Sequence, residues 1–372
     1  MNLNNDRILR VFNLLLNFNF YRSILSTSYL RNVKIYINDS LQILKKASFT
    51  RFWNAVNVYW SYYQSKWSGK PNQKGFPMAI AIEPTTACNL GCPECPSGLK
   101  QFTRPTGNLK EDFYKKVIDQ VWRETFYLTF YFQGEPYINP KFLDMVKYAS
   151  DRKMYTATST NAHFLTPENA LKTVESGLDR LIISVDGTTQ ETYENYRIGG
   201  TLSKVLEGTK NIVNAKKAAK SPTPHIIFQF LVVKPNEHQI EEVHELAKEY
   251  GVDEVKLKTA QVYDYENGND LIPENDKYSR YKKMGNGKYQ IKNSLENNCW
   301  KLWHSCVITW DGKVIPCCFD KDATHRLGEL ANDDFKKIWF SKSYNNFRKQ
   351  LFKGRENIDI CKNCSEGTKV WA

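Results

Sequence analysis

Three cysteines able to bind a metal stand close together in the segment 83–96, directly after the apolar run 78–82. Cys88, Cys92 and Cys95 are separated by three and then by two residues. Three thiolates on one short loop can hold three irons of a [4Fe–4S] cube, which is normally built on four cysteines. The fourth iron keeps an open position, as chemically active metal sites do. Zinc is the alternative, but zinc motifs usually offer paired cysteines that complete a tetrahedron with a second pair.

A second group of cysteines lies between residues 299 and 364. Its members are Cys299, Cys306, Cys317, Cys318, Cys361 and Cys364. The Asp-Gly pair at 311–312, between two apolar runs, predicts a two-residue hairpin turn that brings Cys306 close to the pair at 317–318. A hairpin with cysteines at its mouth, closed by the distant C-x2-C pair at 361–364, predicts a cage for an iron–sulfur cluster or for zinc.

Alternating strands and helices between residues 77 and 262 must position the first group. Strands are predicted at 78–82, 126–132, 154–160, 180–186, 225–234 and 254–262, and helices near 110–124, 139–150, 167–177, 203–219 and 237–250. Such alternation predicts parallel strands joined by right-handed crossovers. About 185 residues are short for eight strand–helix units. We therefore expect an α/β sheet that is curled into an open barrel.

Polar residues follow the predicted strand ends, where barrels of parallel strands place their chemistry. The segment Gln133-Gly134-Glu135-Pro136 comes directly after the second strand. Ser184 and Asp186 end the fourth strand and fall on the same face, because side chains alternate along a strand. Arg197 follows, and a guanidinium group suits bidentate binding of a carboxylate.

Side chains that would face the barrel interior are candidates for substrate binding. They are Tyr127, Thr129, Tyr131 and Gln133, which alternate onto one face of the second strand, and Gln229 of the fifth. The last strand carries Lys256 and Lys258 on one face. These lysines either face the interior, which would favour an anionic substrate, or reach solvent at an open sheet edge.

In their order and spacing, these motifs resemble the radical S-adenosylmethionine (radical SAM) superfamily with a C-terminal SPASM/twitch extension. The resemblance covers about residues 77–372 and implies a partial (β/α)6 TIM-like barrel. It implies that a [4Fe–4S] cluster on Cys88, Cys92 and Cys95 binds S-adenosylmethionine (SAM). It also implies an auxiliary [4Fe–4S] cluster on Cys299, Cys317, Cys361 and Cys364, with Cys318 as the alternative to Cys317.

The resemblance assigns SAM-binding roles to further residues. The element Gly134-Glu135-Pro136 would bind the amino group of SAM. Ser184 and Asp186 would contact its ribose and carboxylate, and Arg197 would bind the carboxylate. Family members usually carry an aromatic or large apolar residue against the adenine, just before the third cysteine, where this chain has Glu94.

The activity that the resemblance implies is reductive cleavage of SAM to a 5′-deoxyadenosyl radical, which abstracts a hydrogen atom from the substrate. A low-potential donor such as flavodoxin or ferredoxin would supply the electron, and the auxiliary cluster would accept one from the oxidised substrate. The substrate would be a peptide or a small molecule, for example a sugar, a polyol or a lipid-linked compound. The alternative is a non-catalytic zinc or iron–sulfur protein, or a protein associated with RNA.

Residues 1–76 form a basic, aromatic-rich extension. They carry eleven basic and two acidic residues, a net charge of +9 within the total of +12. Phe49, Phe52, Trp53, Val56, Trp60, Tyr63 and Trp67 fall on one stripe of a predicted helix. The stripe either packs on the catalytic domain, lies in the plane of a membrane surface, or binds RNA together with the basic residues. No RNA-binding signature accompanies it, which argues against nucleic acid.

The sequence also predicts where the protein is located and how the chain divides into parts. No stretch of about twenty uncharged apolar residues is present, so no transmembrane helix is expected. No secretory signal is recognised, so we expect a cytoplasmic protein, either free or attached peripherally to a membrane. The expected parts are the extension 1–76, the radical SAM core 77–262, a polar linker 263–298 and a small cysteine-rich α+β module 299–372.

Overall fold

A mostly parallel sheet forms the centre of the protein, of which the computed structural model describes residues 39–367. Its first six strands are β1 (Ala79–Ile82), β2 (Tyr127–Thr129), β3 (Tyr155–Thr160), β4 (Arg180–Ser184), β5 (His225–Val232) and β6 (Glu254–Thr259). Each of these strands pairs in parallel with the next. The prediction of an α/β fold of the partial-barrel type is confirmed.

The helices of the described residues connect and cover these strands. They are α1 (Phe49–Ser68), α2 (Pro96–Leu99), α3 (Glu111–Val121), α4 (Phe142–Asp151), α5 (Pro167–Glu175), α6 (Gln190–Glu194), α7 (Leu202–Ala218), α8 (Ile240–Tyr250), α9 (Lys301–His304), α10 (Phe335–Trp339), α11 (Lys342–Lys353) and α12 (Asp359–Lys362). Helices α3 to α8 lie on the connections between parallel strands and bury apolar faces against the sheet. The carboxyl ends of the strands are left to carry the loops with the candidate site residues.

The C-terminal part of the chain continues the same sheet. Strand β9 (Ser305–Ile308) pairs in parallel with β1, and β10 (Lys313–Ile315) and β11 (Gly328–Glu329) follow antiparallel. The predicted two-residue turn is wrong, because the backbone N–H of Thr309 still donates to the carbonyl of Lys313 at 3.0 Å. The loop therefore has three residues and ends on Gly312 at φ +87°, a left-handed conformation typical of such hairpins.

The segment predicted as a polar linker contains a hairpin of its own. Strands β7 (Tyr281–Lys283) and β8 (Tyr289–Ile291) pair antiparallel. The hydroxyl of Tyr281 lies 2.8 Å from the backbone nitrogen of Val262 and 2.9 Å from Oδ1 of Asn363. This segment therefore packs between the end of the sixth strand and the C-terminal cysteine pair.

Helix α1 packs on the rest of the protein with the face opposite to its aromatic stripe. The buried residues are Arg51, Asn54, Val58, Ser61, Tyr62 and Ser65. Packing of the stripe on the catalytic domain, one of the alternatives from the sequence, is wrong, because Phe49, Trp53 and Trp67 are exposed. Within residues 39–367, no helix is long and apolar enough to cross a membrane.

Candidate active site

The loop after β1, residues 83–96, brings together Cys88, Cys92 and Cys95, which we call the triad. Burial raises the pKa of Cys88 to about 11, and the other two thiols are close enough to add to the shift. The loop is fixed by a hydrogen bond from the backbone of Gly91 to the carbonyl of Ile198, at 2.9 Å. Cys95 precedes the first turn of α2, and its Sγ lies 3.8 Å from Oε1 of Gln133.

The Gly-Glu-Pro element after β2 lies directly against this loop. Gly134 has φ +74°, and a Cβ on it would stand only 2.4 Å from the carbonyl oxygen of Thr85. The next residue, Glu135, donates its backbone N–H to the carbonyl of Ala87 at 2.8 Å. A glycine is required at position 134, because only a residue without a side chain allows the two loops to meet.

The Glu135 carboxyl group is buried between this element and the end of β3. Its oxygens accept hydrogen bonds from the hydroxyl of Thr160 at 2.7 Å and from the backbone of Asn161 at 2.8 Å. Burial raises the pKa of Glu135 to about 7, although these hydrogen bonds oppose the shift. A cationic group in the site would favour the ionised form.

Asp186 and Arg197 form an ion pair beside the triad. Arg197 Nε lies 2.5 Å from Asp186 Oδ2, and its Nη1 lies 3.7 Å from Cys92 Sγ. The other oxygen of Asp186 accepts the backbone N–H of Leu231 at 2.7 Å. Burial alone would lower the pKa of Arg197, but Asp186 and Cys92 raise it, so the guanidinium stays charged. Ser184, also buried, lies two residues earlier in β4.

Glu94, which replaces the expected aromatic residue, binds a segment after β6 instead. Its Oε2 accepts the backbone N–H of Tyr263 at 2.9 Å, and its carbonyl lies 3.4 Å from Nζ of Lys321. The ammonium of Lys321 lies 4.5 Å from the centre of the Tyr263 ring. An aromatic ring therefore does lie beside the loop, but it comes from a residue 168 positions beyond Cys95, which no local motif indicates.

The structure also adds a polar residue that the sequence did not single out. Asn161 donates its side-chain amide to Asn89 Oδ1 at 2.8 Å, which joins the end of β3 to the triad loop. His163 accepts at Nε2 the backbone N–H of Thr201 at 2.9 Å. The alternating pattern of β3 ends just before these residues, so only their position at a strand end could have identified them.

Cys299, Cys317, Cys361 and Cys364, the predicted second group, also come together, and we call them the C-terminal cage. Burial raises the pKa of Cys317 well above its usual value, with contributions from Cys318, Cys299 and Cys364. Cys361 is likewise close to Cys299 and Cys364. The backbone of Gly367, at φ +82°, approaches so closely that a Cβ there would lie 2.4 Å from Cys299 Sγ.

A buried arginine completes the cage, and nothing in the sequence marks it. Arg355 is 1% exposed and donates through Nη2 to Cys364 Sγ at 3.1 Å and to the carbonyl of Glu366 at 2.7 Å. Hydrogen bonds and positive charge near the sulfurs stabilise an anionic iron–sulfur cluster and set its potential. The donors around the cage therefore fit such a cluster.

The two remaining cysteines occupy different surroundings. Cys306 is buried in β9 opposite Ile80 of β1, as expected for a thiol that packs in the hairpin. Cys318 is exposed, and it lies close enough to Lys301, Glu366 and Cys364 to interact with them electrostatically. His304 lies with its ring 4.8 Å from the ring of Trp300.

We give the name central cavity to the region of Tyr131, Lys301, Cys318, Lys321 and Glu366, whose side chains interact electrostatically with one another or with Cys95. Tyr131 is 37% exposed, yet desolvation raises its pKa, with Cys318, Lys301 and Glu366 nearby. Lys321 is close enough to interact electrostatically with both Cys95 and Cys318. This region therefore reaches from Cys95 of the triad to Cys318, the neighbour of Cys317 in the chain.

Positive charge predominates in the central cavity. Burial alone would raise the pKa of Glu366, but Lys301, Lys258 and Arg280 lower it, and Lys301 forms an ion pair with it. Burial lowers the pKa of Lys321, and Glu94 opposes this shift. Lys256, the other lysine of β6, pairs with Glu254 at 3.6 Å. Of the two lysines, Lys258 is thus the one whose charge reaches the cavity.

The triad and the C-terminal cage can be compared with the two kinds of metal site that the sequence predicted, zinc or an iron–sulfur cluster. Within residues 39–367, no three histidine, cysteine, aspartate or glutamate side chains are arranged around a point that could hold a single metal ion. A structural zinc site needs four ligands about 2.3 Å or less from one point. The three thiolates of the triad match a four-iron cube with one open iron, and the four thiolates of the cage match a fully ligated cube.

Comparisons with known proteins agree with this geometry. The family model of the Radical SAM superfamily matches residues 82–247, and SPASM, an iron–sulfur cluster-binding domain, matches residues 299–365. A heme synthase of Methanosarcina barkeri that depends on AdoMet (SAM) is 32% identical over 176 residues, which cover 47% of this chain and 48% of that protein. This chain thus matches about half the length of that relative.

Two further similarities extend over more of the chain. A protein of Pyrococcus furiosus that modifies the cofactor of tungsten-containing aldehyde ferredoxin oxidoreductase is 28% identical over 300 residues, covering 72% of this chain and 82% of that protein. The structure of Streptococcus suis SuiB bound to its precursor peptide SuiA has a TM-score of 0.58 at 14% identity, covering 83% of this chain and 74% of SuiB. This last similarity concerns the fold.

Each of the two matched domains is associated with a cofactor. They imply a [4Fe–4S] cluster that binds SAM, auxiliary iron–sulfur binding in the C-terminal domain, and SAM as the cosubstrate. The triad lies inside the first match and the C-terminal cage inside the second. By these matches, the chain belongs to the radical SAM superfamily of enzymes and carries a C-terminal SPASM domain.

Proposed function

We propose that this protein cleaves SAM reductively at the triad and uses the resulting 5′-deoxyadenosyl radical to take a hydrogen atom from an anionic substrate. The observation that carries the proposal is the convergence of Glu135 and Arg197 on the triad. A carboxylate and a guanidinium beside one open metal position match the amino and carboxylate groups of one amino-acid ligand. Asp186 keeps Arg197 in place through their ion pair, and Gly134 allows the loop of Glu135 and Pro136 to meet the triad loop. Ser184, at the end of β4, would contact the ribose of SAM.

The proposed reaction balances in two one-electron steps. One electron from a low-potential donor such as flavodoxin or ferredoxin, together with SAM, gives methionine and the radical, which becomes 5′-deoxyadenosine on taking a hydrogen atom. The substrate radical then loses one electron and one proton, and the electron passes to the auxiliary cluster of the C-terminal cage. The short separation of the two sites supports this route, because Lys321 lies close both to Cys95 of the triad and to Cys318, which is next to Cys317 of the cage.

The charge of the central cavity supports an anionic substrate. Lys301, Lys321 and the nearby Lys258 and Arg280 outnumber the carboxylates of Glu94 and Glu366. By their names, one relative synthesises heme and another modifies a cofactor, and the SuiB structure holds a precursor peptide. Either a peptide or a small molecule fits, provided that it presents a carboxylate or phosphate to these cations.

The role of Lys321 can be tested with fractions of a cell extract. When fractions are added to the enzyme, the fraction that contains the substrate should increase 5′-deoxyadenosine formation. We expect this fraction to be retained on an anion exchanger. Lys321→Gln should raise the amount of this fraction needed for half-maximal stimulation by about tenfold. The reason is that the hydrogen bond between Lys321 and the anionic group of the substrate is lost. Lys256→Gln, which removes a lysine paired with Glu254, is the matched control and should change nothing.

Protease treatment of the active fraction separates the two substrate classes. Loss of the stimulation would indicate a peptide, and its survival a small molecule. An active fraction that flows through the anion exchanger, or equal effects of the two lysine variants, would contradict an anionic substrate.

The pKa of Glu135 makes SAM binding depend on pH. Only the ionised carboxylate of Glu135 is purely a hydrogen-bond acceptor for the amino group of SAM, and its pKa is about 7. Because the pKa is raised, SAM affinity should fall as the pH drops below 7, approaching about tenfold per pH unit. Equilibrium dialysis of SAM on the oxidised, cluster-loaded protein between pH 6 and 7.5 measures this, and Glu135→Gln should bind weakly at every pH.

A control variant separates this effect from a general influence of pH. Glu168→Gln changes an exposed carboxylate on α5 and should keep the full pH dependence. A pH-dependent affinity in Glu135→Gln would show that another group binds the amino end of SAM.

A further inference from the structure

Helix α1 presents six aromatic side chains to solvent on one face, which we call the aromatic face. It consists of Phe49, Phe52, Trp53, Tyr59, Trp60 and Trp67, which are between 43% and 80% exposed. At roughly 200 Å² per aromatic side chain, this leaves on the order of 700 Å² of apolar surface uncovered. Such an area exceeds the patches of a few hundred Å² that a soluble monomer usually exposes, which marks an interaction surface.

The orientation of α1 is fixed by polar groups on its opposite face. Arg51 is almost fully buried and donates through Nη1 to the carbonyl of Lys46 at 2.6 Å and through Nη2 to that of Trp122 at 2.7 Å. The carbonyls of Arg152 and Lys153 accept from the same guanidinium. Rotating the helix to bury the aromatic face would leave this charge and these carbonyls unsatisfied, at a large cost.

Hydrogen bonds of Asn54 hold α1 in the same orientation. Its side-chain oxygen accepts the backbone N–H of Phe76 at 2.8 Å, and its amide donates to the carbonyls of Phe76 and Glu124 at 3.1 and 3.3 Å. Ser61 and Ser65 are buried on the same side. The polar face of this helix is therefore the one built to pack on the protein, and the aromatic face is directed outward.

The charge around α1 is complementary to an anionic surface. No aspartate or glutamate occurs between residues 40 and 76, whereas Lys45, Lys66, Lys70 and Lys74 are exposed there. Each basic residue near an anionic bilayer contributes to attraction. Tryptophan and tyrosine prefer the boundary between lipid headgroups and acyl chains, where their rings lie partly in each.

We propose that the aromatic face of α1 binds in the plane of an anionic lipid bilayer and attaches the protein peripherally to the membrane. A convex helix with aromatic rings and flanking lysines matches the pattern of interfacial helices. This inference goes beyond the proposed function and is independent of it. It also places the membrane on the side of the C-terminal cage, because Tyr62 of α1 contacts the ring of Trp300, next to Cys299.

Vesicle flotation with the full-length, cluster-loaded protein tests the proposal without any catalytic readout. We expect wild type to float with vesicles of phosphatidylcholine and phosphatidylserine, and at least tenfold less with phosphatidylcholine alone or in high salt. The triple variant Trp53→Gln, Trp60→Gln, Trp67→Gln should lose flotation at least tenfold. Its iron content and thermal midpoint should match wild type, since the three rings are exposed.

The matched control is Leu171→Gln, which alters an exposed apolar residue on α5, outside the aromatic face, and should float like wild type. If the wild-type protein does not float with the anionic vesicles, the proposal is wrong. Flotation of the triple variant at the wild-type level would do the same, because other residues would then bind the lipid. A wild-type dimer that the triple variant converts to monomer, without flotation, would assign the face to a second copy of this chain instead.

Discussion

Replacing Cys88 by alanine should abolish 5′-deoxyadenosine formation, with a loss on the order of 10³-fold or more. The iron content should fall from about eight to about four per chain, because two cubes carry eight irons and one would be lost. The reason is structural, since Cys88 is one of three thiols on the loop that meets Gly134 and Glu135. Iron analysis and product chromatography after anaerobic reconstitution measure both effects.

Cys306→Ala is the matched control for this experiment. Cys306 is buried in β9 against β1 and lies in neither the triad nor the C-terminal cage, so the variant should keep about eight irons and full SAM cleavage. If Cys88→Ala kept its iron and still formed 5′-deoxyadenosine, the loop could not be the site of SAM cleavage.

The second large effect is expected at the adjacent cysteines of the C-terminal cage. Cys317→Ala should retain about four irons, and Cys318→Ala about eight. Cys317 lies close to Cys299 and Cys364, whereas Cys318 is exposed to the central cavity beside Lys301 and Glu366. Because the triad remains intact, Cys317→Ala should still cleave SAM but should no longer oxidise substrate efficiently.

Each of the two variants is the control of the other, since they differ by one position. The opposite result, with the cluster lost in Cys318→Ala and kept in Cys317→Ala, would assign the ligand to Cys318. Loss of all eight irons in either variant would show that the two clusters depend on one another for folding. Electron paramagnetic resonance of the reduced variants distinguishes which of the two clusters remains.

Much of the barrel could be predicted because its signals are local. Alternating apolar runs located strands β1 to β6 to within a few residues, for example 155–160 against the expected 154–160. The triad and the pair at 361–364 were recognisable by spacing alone. The resemblance to the radical SAM superfamily indicated Glu135 and Arg197, and the structure brings both beside the triad loop.

Contacts between distant segments could not be predicted in this way. Helical periodicity identified the aromatic stripe of α1, but not that the opposite face would pack. That choice depends on carbonyls at 122, 152 and 153, which lie about 70 to 100 residues away from Arg51 and satisfy its charge. Apolar stripes normally face the core, and here a buried arginine reverses the rule.

The contacts of Arg355 in the cage and of the Tyr263 ring beside Glu94 could not be predicted for the same reason. Arg355 follows a glycine in a polar stretch with no periodic pattern, and only the fold brings it to Cys364 Sγ. Tyr263 reaches the triad loop through a single backbone hydrogen bond to Glu94. In both cases the partner is defined by three-dimensional proximity, for which a single sequence carries no signal.

The most direct test of the central claim is the fate of SAM on the reconstituted wild-type protein under anaerobic reducing conditions. The account predicts that 5′-deoxyadenosine and methionine form in equal amounts, and only when a reductant is present. A protein that holds about eight irons per chain and yet forms no 5′-deoxyadenosine would contradict the account.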